Sequence, residues 1–324
     1  MAVGLGHSTP PALLLKTLDA ITQKYIVPIV GDNVFKPSPA FWALTKNGKR
    51  FAGGEIVYPL FTAENTQGGA YWGDQLLETA VVDTIQPANQ LWRFYRQPVV
   101  IPVTDIILNR GAAGLDLVRL KFQEMSSSLL QKLSRALWDV SPQNTSLDID
   151  SIVDWVKSTT NTIAGIDRSV AANAFWKPAA NQALGGTFTP AQFESAYQSV
   201  VYGFDEPDIL LTTHSMYQTL KLNFTTLVRF TGLEQDKQAL QAGFRYHFLI
   251  NNAVVVPDRF VPTGEGALLN SRYIYPTFHE GDYFTVDPFI KPSNQRVVVS
   301  TSYLAWQLIC PSPRMNVYFT GGPS

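Results

Sequence analysis

The stretch LDLVRLKFQEMSSSLLQKLSRALWD, residues 115–139, carries the longest helical period in the chain. Leu115, Val118, Phe122, Met125, Leu129, Leu133 and Leu137 recur at steps of three and four, which places them on one side of a helix. Arg119, Lys121, Gln123, Lys132 and Arg135 fall mostly elsewhere on its surface. Within the wider segment Val103 to Asp139 the spacing predicts an amphipathic helix. Its start falls between Thr104 and Gly114, where Asn109, Gly111 and Gly114 unsettle the first turns, and Ser141 with Pro142 marks its stop. At about 1.5 Å of rise per residue, the part from Leu115 onward spans roughly 40 Å, long for an ordinary globular domain. Such a helix is either the spine of an extended subunit or a large core helix of an α+β enzyme.

On its N-terminal side the pattern is β. Glu55 to Phe61 (EIVYPLF) and Leu91 to Ile101 (LWRFYRQPVVI) are rich in β-branched and aromatic residues, and Thr62 to Asp74 (TAENTQGGAYWGD) is turn chemistry around Gly68 and Gly69. The simplest arrangement is a long hairpin, with Pro59 and Pro98 placing its strands at sheet edges. A two-stranded hairpin is marginal in water by itself, so it needs a surface to lie on. Trp72, Trp92, Phe94 and Tyr95 are candidate contacts with another subunit, with ordinary core packing as the alternative. Further upstream, Met1 to Pro11 reads as loose chain. Ala12 to Tyr25 reads as a short helix with Leu14, Leu18, Ile21 and Tyr25 on one face, and Pro28, Pro37 and Pro39 keep the next residues extended, as an arm.

Composition excludes some functions. The 324 residues are 45% hydrophobic and 16% charged with a formal net charge of −1, enough for a sizeable core and too little basic charge for the whole molecule to wrap nucleic acid. Cys310 is the single cysteine, so there is no intrachain disulfide framework. No apolar run reaches membrane-spanning length, and no signal peptide is expected. His7, His214, His247 and His279 are widely separated and lack metal-ligand spacing. There is no Gly-x-Ser-x-Gly elbow, and Gly4-Leu5-Gly6, Gly185-Gly186 and Gly264-Glu265-Gly266 lack the lysine and hydroxyl residue of a phosphate loop. Asp167 and Arg168 could be imagined as a catalytic pair, but adjacent residues seldom face one another, and a turn cap or ion pair is the plainer role.

Beyond the long helix, Leu147 to Lys157 reads as a short helix. Gly165, Ile166, Asp167 and Arg168, followed by Trp176, Lys177 and Asn181, then resemble the Gly-Ile-Asp-Arg … Trp-Arg-Asn signature of major capsid proteins of tailed bacteriophages. Further matches come in order. Pro190 to Gly203 resembles the helix after that signature, with Thr189 as its cap and Phe193, Tyr197 and Val200 on one face. Pro207 to Leu220 resembles the next strand and helix, and Ala242 to Asp258 a later strand pair. The departures are Ala164 where glycine is frequent, a single Trp176 where two aromatics often stand, and Lys177 in place of arginine.

The resemblance implies an α+β fold of the Hong Kong 97 type. Its parts would be an N-terminal arm (1–48), an extended loop and its base (49–102), a peripheral domain with the spine helix (103–147), an axial domain around a mixed sheet (148–283), and a return to the peripheral domain (284–324), in which Gln295 to Cys310 and Met315 to Thr320 form strands. It implies a coat protein made in the bacterial cytoplasm that assembles with itself, as hexamers and pentamers, into a virion shell around double-stranded DNA held without sequence-specific binding. No cofactor, metal, catalytic residue or membrane is implied. Expected partners are a portal protein and a separate scaffolding or decoration protein. An encapsulin-like compartment of the same fold is the alternative, and a soluble α+β enzyme is a more distant one. Some members of the family join subunits through a loop lysine, but no lysine lies between Lys49 and Lys121, leaving the loop Arg50, Arg93 and Arg96.

Overall fold

The spine helix runs from Ala112 to Leu137, 26 residues, after a short helix at Val103–Leu108. Val118, Phe122, Met125, Leu129, Leu133 and Leu137 are all buried along one side, as the spacing predicts. Each such side chain contributes about 1.5–3 kcal/mol relative to leaving it in water, and this stripe holds the helix to the body. Among the residues facing it is Phe289, whose ring meets Phe122 edge-on at 6.2 Å. The computed structural model describes residues 39–73, 82–108, 112–138, 147–224 and 248–323. The expected arm helix at 12–25, the helix stop at Ser141 and Pro142, and the part of the strand pair at 242–247 lie outside the described residues, as do His7 and His247.

The strands are β1 (Lys49–Phe51), β2 (Glu55–Phe61), β3 (Ile85–Leu91), β4 (Arg93–Pro102), β5 (Thr162–Ile163), β6 (Ile166–Asp167) and β7 (Gln182–Ala183). They continue with β8 (Ile209–Thr212), β9 (Phe248–Ile250), β10 (Ala253–Pro257), β11 (Gly266–Leu269), β12 (Tyr275–Val286), β13 (Val297–Ile309) and β14 (Val317–Thr320). A four-stranded sheet in the order β1-β12-β13-β4 lies against the spine helix, and a six-stranded mixed sheet has the order β7-β14-β11-β8-β10-β9. Both outer strands of the smaller sheet carry residues that discourage further pairing: Lys49 and Arg50 on β1, Pro98 and Pro102 on β4.

The six-stranded sheet is covered on both faces. Leu210, Val255, Leu268, Val317 and Phe319 point to the helices Pro190–Val200 and His214–Phe224, while Ile209, Leu211, Val256, Leu269 and Tyr318 join the core that contains the spine helix. Thr189 caps the first of these helices as expected: Gln192 N donates to its Oγ1 (3.3 Å), and Thr189 N donates back to Gln192 Oε1 (2.9 Å). Phe193, Tyr197 and Val200 are its buried face.

Three expectations about local structure need correction. The strand opposite β2 is β3, not the segment from Leu91; β4 instead pairs along β13, Arg93 opposite Trp306 through Pro102 opposite Val297. The sequence of β3, IQPANQL, has little β-branched content, and its strand form comes from its partners rather than from propensity. The expected helix at Leu147–Lys157 shrinks to one π-helical turn, Val153–Lys157. The C-terminal tail divides: β13 joins the four-stranded sheet, whereas β14 pairs with β11 and β7 in the six-stranded one. β12, in the four-stranded sheet, runs from Tyr275 to Val286.

Candidate assembly surface

The Gly-Ile-Asp-Arg stretch builds a joint. Ile163-Ala164-Gly165-Ile166 is a two-residue hairpin turn between β5 and β6, with Ala164 at φ 53° and Gly165 at φ 79°. Both central residues are left-handed, as a type I′ turn demands, which explains why glycine suits position 164 and why alanine there is a departure with a cost. Arg168 is fully buried. Its Nη1 donates to the carbonyls of Asp154 (2.8 Å) and Ser158 (2.9 Å) and to Asn161 Oδ1 (3.2 Å), and its Nη2 donates to the Trp155 carbonyl (3.2 Å). The guanidinium also lies near the rings of Trp155 and Trp176, which meet edge-on at 5.5 Å. Burial pushes its pKa down to about 10, so it stays charged at neutral pH. Asp167 does not pair with it: its Oδ1 accepts from Ser169 N (2.8 Å) and caps the turn. Trp176 Nε1 donates to the Ile163 carbonyl (3.3 Å), closing the unit.

This joint holds the base of the β2–β3 hairpin. Asn89 N on β3 donates to the Ala164 carbonyl (3.1 Å), and Tyr58 on β2 lies 6.5 Å from Trp176, ring to ring. A half-buried carboxylate adds a second fastening. Gln90 Nε2 on β3 and Gln307 Nε2 on β13 both donate to Asp150 Oδ2, at 2.7 and 3.1 Å, and Asp150 N donates to Gln307 Oε1 (3.0 Å). Burial raises the Asp150 pKa, partly offset by the Gln90 hydrogen bond. The hairpin thus finds its supporting surface on its own chain.

Its other face is left uncovered among the described residues. Along β2, Ile56 and Leu60 are buried while Val57 and Phe61 are exposed; Asn89 and Ile85 of β3 stand across from these two, Leu91 stands across from Glu55, and all four are exposed. Phe61 (78% exposed) stands directly across from Ile85, and Pro59 across from Pro87. The result is an apolar outer face where an alternating strand would ordinarily place polar side chains. Beyond it the loop carries Tyr71 and Trp72, the latter 89% exposed.

Of the four residues singled out in the sequence, Trp72 and Phe94 are exposed and Trp92 and Tyr95 are not brought to the surface with them. Trp92 packs with Ile56, Tyr275 and Ile309, meets His279 edge-on at 5.0 Å and donates from Nε1 to the Gly53 carbonyl (2.8 Å). Tyr95 packs beside Trp306 and donates to Asp148 Oδ1 (2.8 Å); burial and that carboxylate raise its pKa. The outer residues Val57, Phe61, Ile85 and Leu91 escaped notice because EIVYPLF is apolar at both parities, a signal visible only when each face is read separately.

Cys310 is buried, which pushes its thiol up to about 12 and leaves it protonated. Among the described residues no group of three His, Cys, Asp or Glu could hold a metal ion, and no helix is long and apolar enough to cross a membrane.

No family model and no curated relative matches this sequence. Solved structures do. The capsid asymmetric unit of cyanophage A-1(L) matches with a TM-score of 0.68 at 15% identity, over 88% of this chain and 93% of that one. A chain from Mycobacterium phage Adephagia matches at 0.54 and 10% identity, over 89% and 90%. The virus-like particle from Pyrococcus furiosus matches at 0.51 and 10% identity, over 94% and 98%. At these identities the likeness is one of architecture, and the chain has an α+β fold of the Hong Kong 97 type, shared with a phage capsid subunit over nearly its whole length.

Proposed function

We propose that this chain is the major coat protein of a tailed phage, assembling with itself into a closed icosahedral head around double-stranded DNA. The observation that carries the reading is the hairpin whose inner face is fastened to the body by Asp150, Gln90 and the Ala164 turn while its outer face, from Val57 to Phe61 and Ile85 to Leu91, is left apolar. Such a face stabilises a contact with a neighbouring copy at about 25 cal/mol per Å² of apolar area removed from water, and repetition over a shell multiplies small contacts. Trp72 and Phe94, both exposed, are the candidate anchors retained from the sequence. The chain's work is then assembly and not catalysis. A portal protein and a separate scaffolding or decoration protein are the partners this role requires, and packaged DNA would be held without base readout.

Electron microscopy of purified protein tests the reading: closed shells are expected, and a small soluble oligomer would overturn it. Shells isolated from the native host should hold nuclease-sensitive DNA once opened; shells filled with a protein cargo would instead favour the encapsulin-like compartment. Because the loop lacks lysine, boiling particles in denaturing detergent should release a 35.9 kDa monomer. A ladder of covalent oligomers would show another cross-linking chemistry.

A further inference from the structure

The π-helical turn at Val153–Lys157 is held wide by side chains. In an α-helix the Ser158 amide would donate to the Asp154 carbonyl, but Ser158 N donates to the Val153 carbonyl (3.1 Å), one residue further back. The Asp154 carbonyl is already taken. Arg168 Nη1 donates to it at 2.8 Å and Asn161 Nδ2 at 3.1 Å, while the same guanidinium holds the Trp155 and Ser158 carbonyls at 3.2 and 2.9 Å. Entry to the turn is fixed as well: Ser151 N and Oγ both donate to Asp154 Oδ2 (2.9 and 2.8 Å), and Asp154 N donates back to Ser151 Oγ (3.1 Å).

The residue that this widened turn delivers is Lys157. A turn closed from i to i+5 rotates less per residue than an α-turn, so its last side chain points in a different direction than it would from the narrower turn. Lys157 Nζ donates to Glu265 Oε1 (2.6 Å), and the other oxygen of that carboxylate accepts from Tyr318 Oη (2.5 Å). The Lys157 carbonyl accepts from Asn181 Nδ2 (3.1 Å). Glu265 stands directly before β11, Tyr318 lies fully buried on β14, and Asn181 stands directly before β7, so three strands of the six-stranded sheet converge on this one residue.

We infer that the turn is a mechanical coupler between the hairpin's footing and the six-stranded sheet. On one side stands Arg168, which directly follows the β5–β6 pair that receives the hairpin through the Ala164 carbonyl, and it sets the width of the turn. On the other side, that width sets Lys157 on Glu265. Displacing either end changes the geometry on which the other depends, so Arg168 and Lys157 are positioning residues joined through the backbone between them. The coupling belongs to the single subunit, so it is tested without assembly and apart from the coat-protein reading.

Amide hydrogen exchange on unassembled subunits supplies the test. Lys157→Met removes the cation from Glu265, and Glu265→Gln removes the anion from Lys157 while leaving Tyr318 an acceptor; thermal melts verify that each variant is folded. Lys157 is 36% exposed, so its substitution keeps the fold even where the change at Glu265 does not. Three amides are followed: Asn89 N at the hairpin base, Arg168 N, bonded to the Asn161 carbonyl at 3.1 Å, and, as the reference, Val299 N, bonded to the Ile290 carbonyl at the far end of β13. The Asn89 and Arg168 amides should exchange about fivefold faster in each variant, the change expected from losing a partly exposed ion pair, and Val299 should keep its wild-type rate. An Asn89 amide that exchanges at the wild-type rate in either folded variant would overturn the coupler. A rise shared equally by all three amides would overturn it too, because it would report a loss of global stability with no route from Lys157 to the hairpin.

Discussion

Strand β8, at the centre of the six-stranded sheet, and strand β2 of the hairpin are both rich in apolar residues, yet only the first hides both faces. Ile209, Leu210, Leu211 and Thr212 of β8 are all buried, two by helices on one side and two by the main core on the other. In β2 burial alternates, although the residues at the exposed parity, Val57 and Phe61, are as apolar as those at the buried one. A strand that is apolar at both parities asks for two covering layers. Among the described residues β8 has both and the hairpin has one, so on the coat-protein reading proposed above a neighbouring copy supplies the second. Substitutions in the two regions should consequently divide between subunit stability and assembly.

Around the hairpin, the largest loss of subunit stability is expected at the joint that supports it. Arg168→Ala removes the guanidinium from the Trp155 and Trp176 rings and leaves the carbonyls of Asp154, Trp155 and Ser158 without their buried donor. Removing one side of a buried, charge-assisted network costs about 3–5 kcal/mol. Urea denaturation of unassembled subunits should show a midpoint shift of that size. A loss under about 1 kcal/mol would mean that water can replace the arginine and that the joint is not the hairpin's foundation.

A smaller effect, with a sign that depends on pH, is expected at Asp150. Its pKa is raised in the fold by burial, so the stability it contributes is fully present below the unfolded carboxylate pKa and is lost as pH rises through the higher folded value. Asp150→Asn keeps an acceptor oxygen for Gln90 and Gln307 without a charge to desolvate. Relative to wild type, the variant should gain as pH is raised from about 4 towards neutrality, and at pH 7 it should match or exceed wild type. Asp150→Ala, by contrast, leaves the Gln90 and Gln307 amides only their longer bonds to the Leu308 (3.4 Å) and Leu91 (3.3 Å) carbonyls and should cost about 1 kcal/mol. If the asparagine variant loses ground as pH rises, the ionised carboxylate is a net asset at the hairpin base and the buried node works by charge.

These two sites also mark how far the sequence could be read. The spine helix was legible because a period of three and four over residues 115–137 is a local signal that no tertiary partner needs to supply. The capped helix at Pro190 was legible for the same reason, with Thr189 and Gln192 three residues apart. Strand β3 was not, since Gln86, Pro87, Asn89 and Gln90 have no strand preference and owe their conformation to β2 and to the Ala164 carbonyl, 75 residues away in sequence. Nor could spacing show that Trp92 turns inward while Phe94, two residues on, faces out, because the chain passes from one sheet to another between them. The order of strands in the six-stranded sheet rests on non-local pairings, β8 beside β10 and β14 beside β11, that no short window contains.

The smallest effect on the subunit, and the one that separates the two regions most sharply, is expected on the hairpin's outer face. Phe61 and Trp72 are 78% and 89% exposed, so Phe61→Asp and Trp72→Ser should each leave subunit stability within about 0.5 kcal/mol of wild type. Leu211→Asp, at a position with no exposure, is the matched control and should unfold the subunit, because an unpaired carboxylate would have to enter the sheet's core. For assembly the order reverses: a charge at position 61 faces Ile85 across the strand pair, at the loop end of the outer face beside Pro59 and Pro87, where desolvating it on contact opposes burial of its apolar neighbours. Light scattering under assembly conditions should therefore rise for wild type and stay flat for Phe61→Asp, with Trp72→Ser between them. Should Phe61→Asp subunits melt normally and still build shells at the wild-type rate, the outer face of the hairpin is not the covered one, and the second layer that β2 lacks must be sought within the particle at another surface.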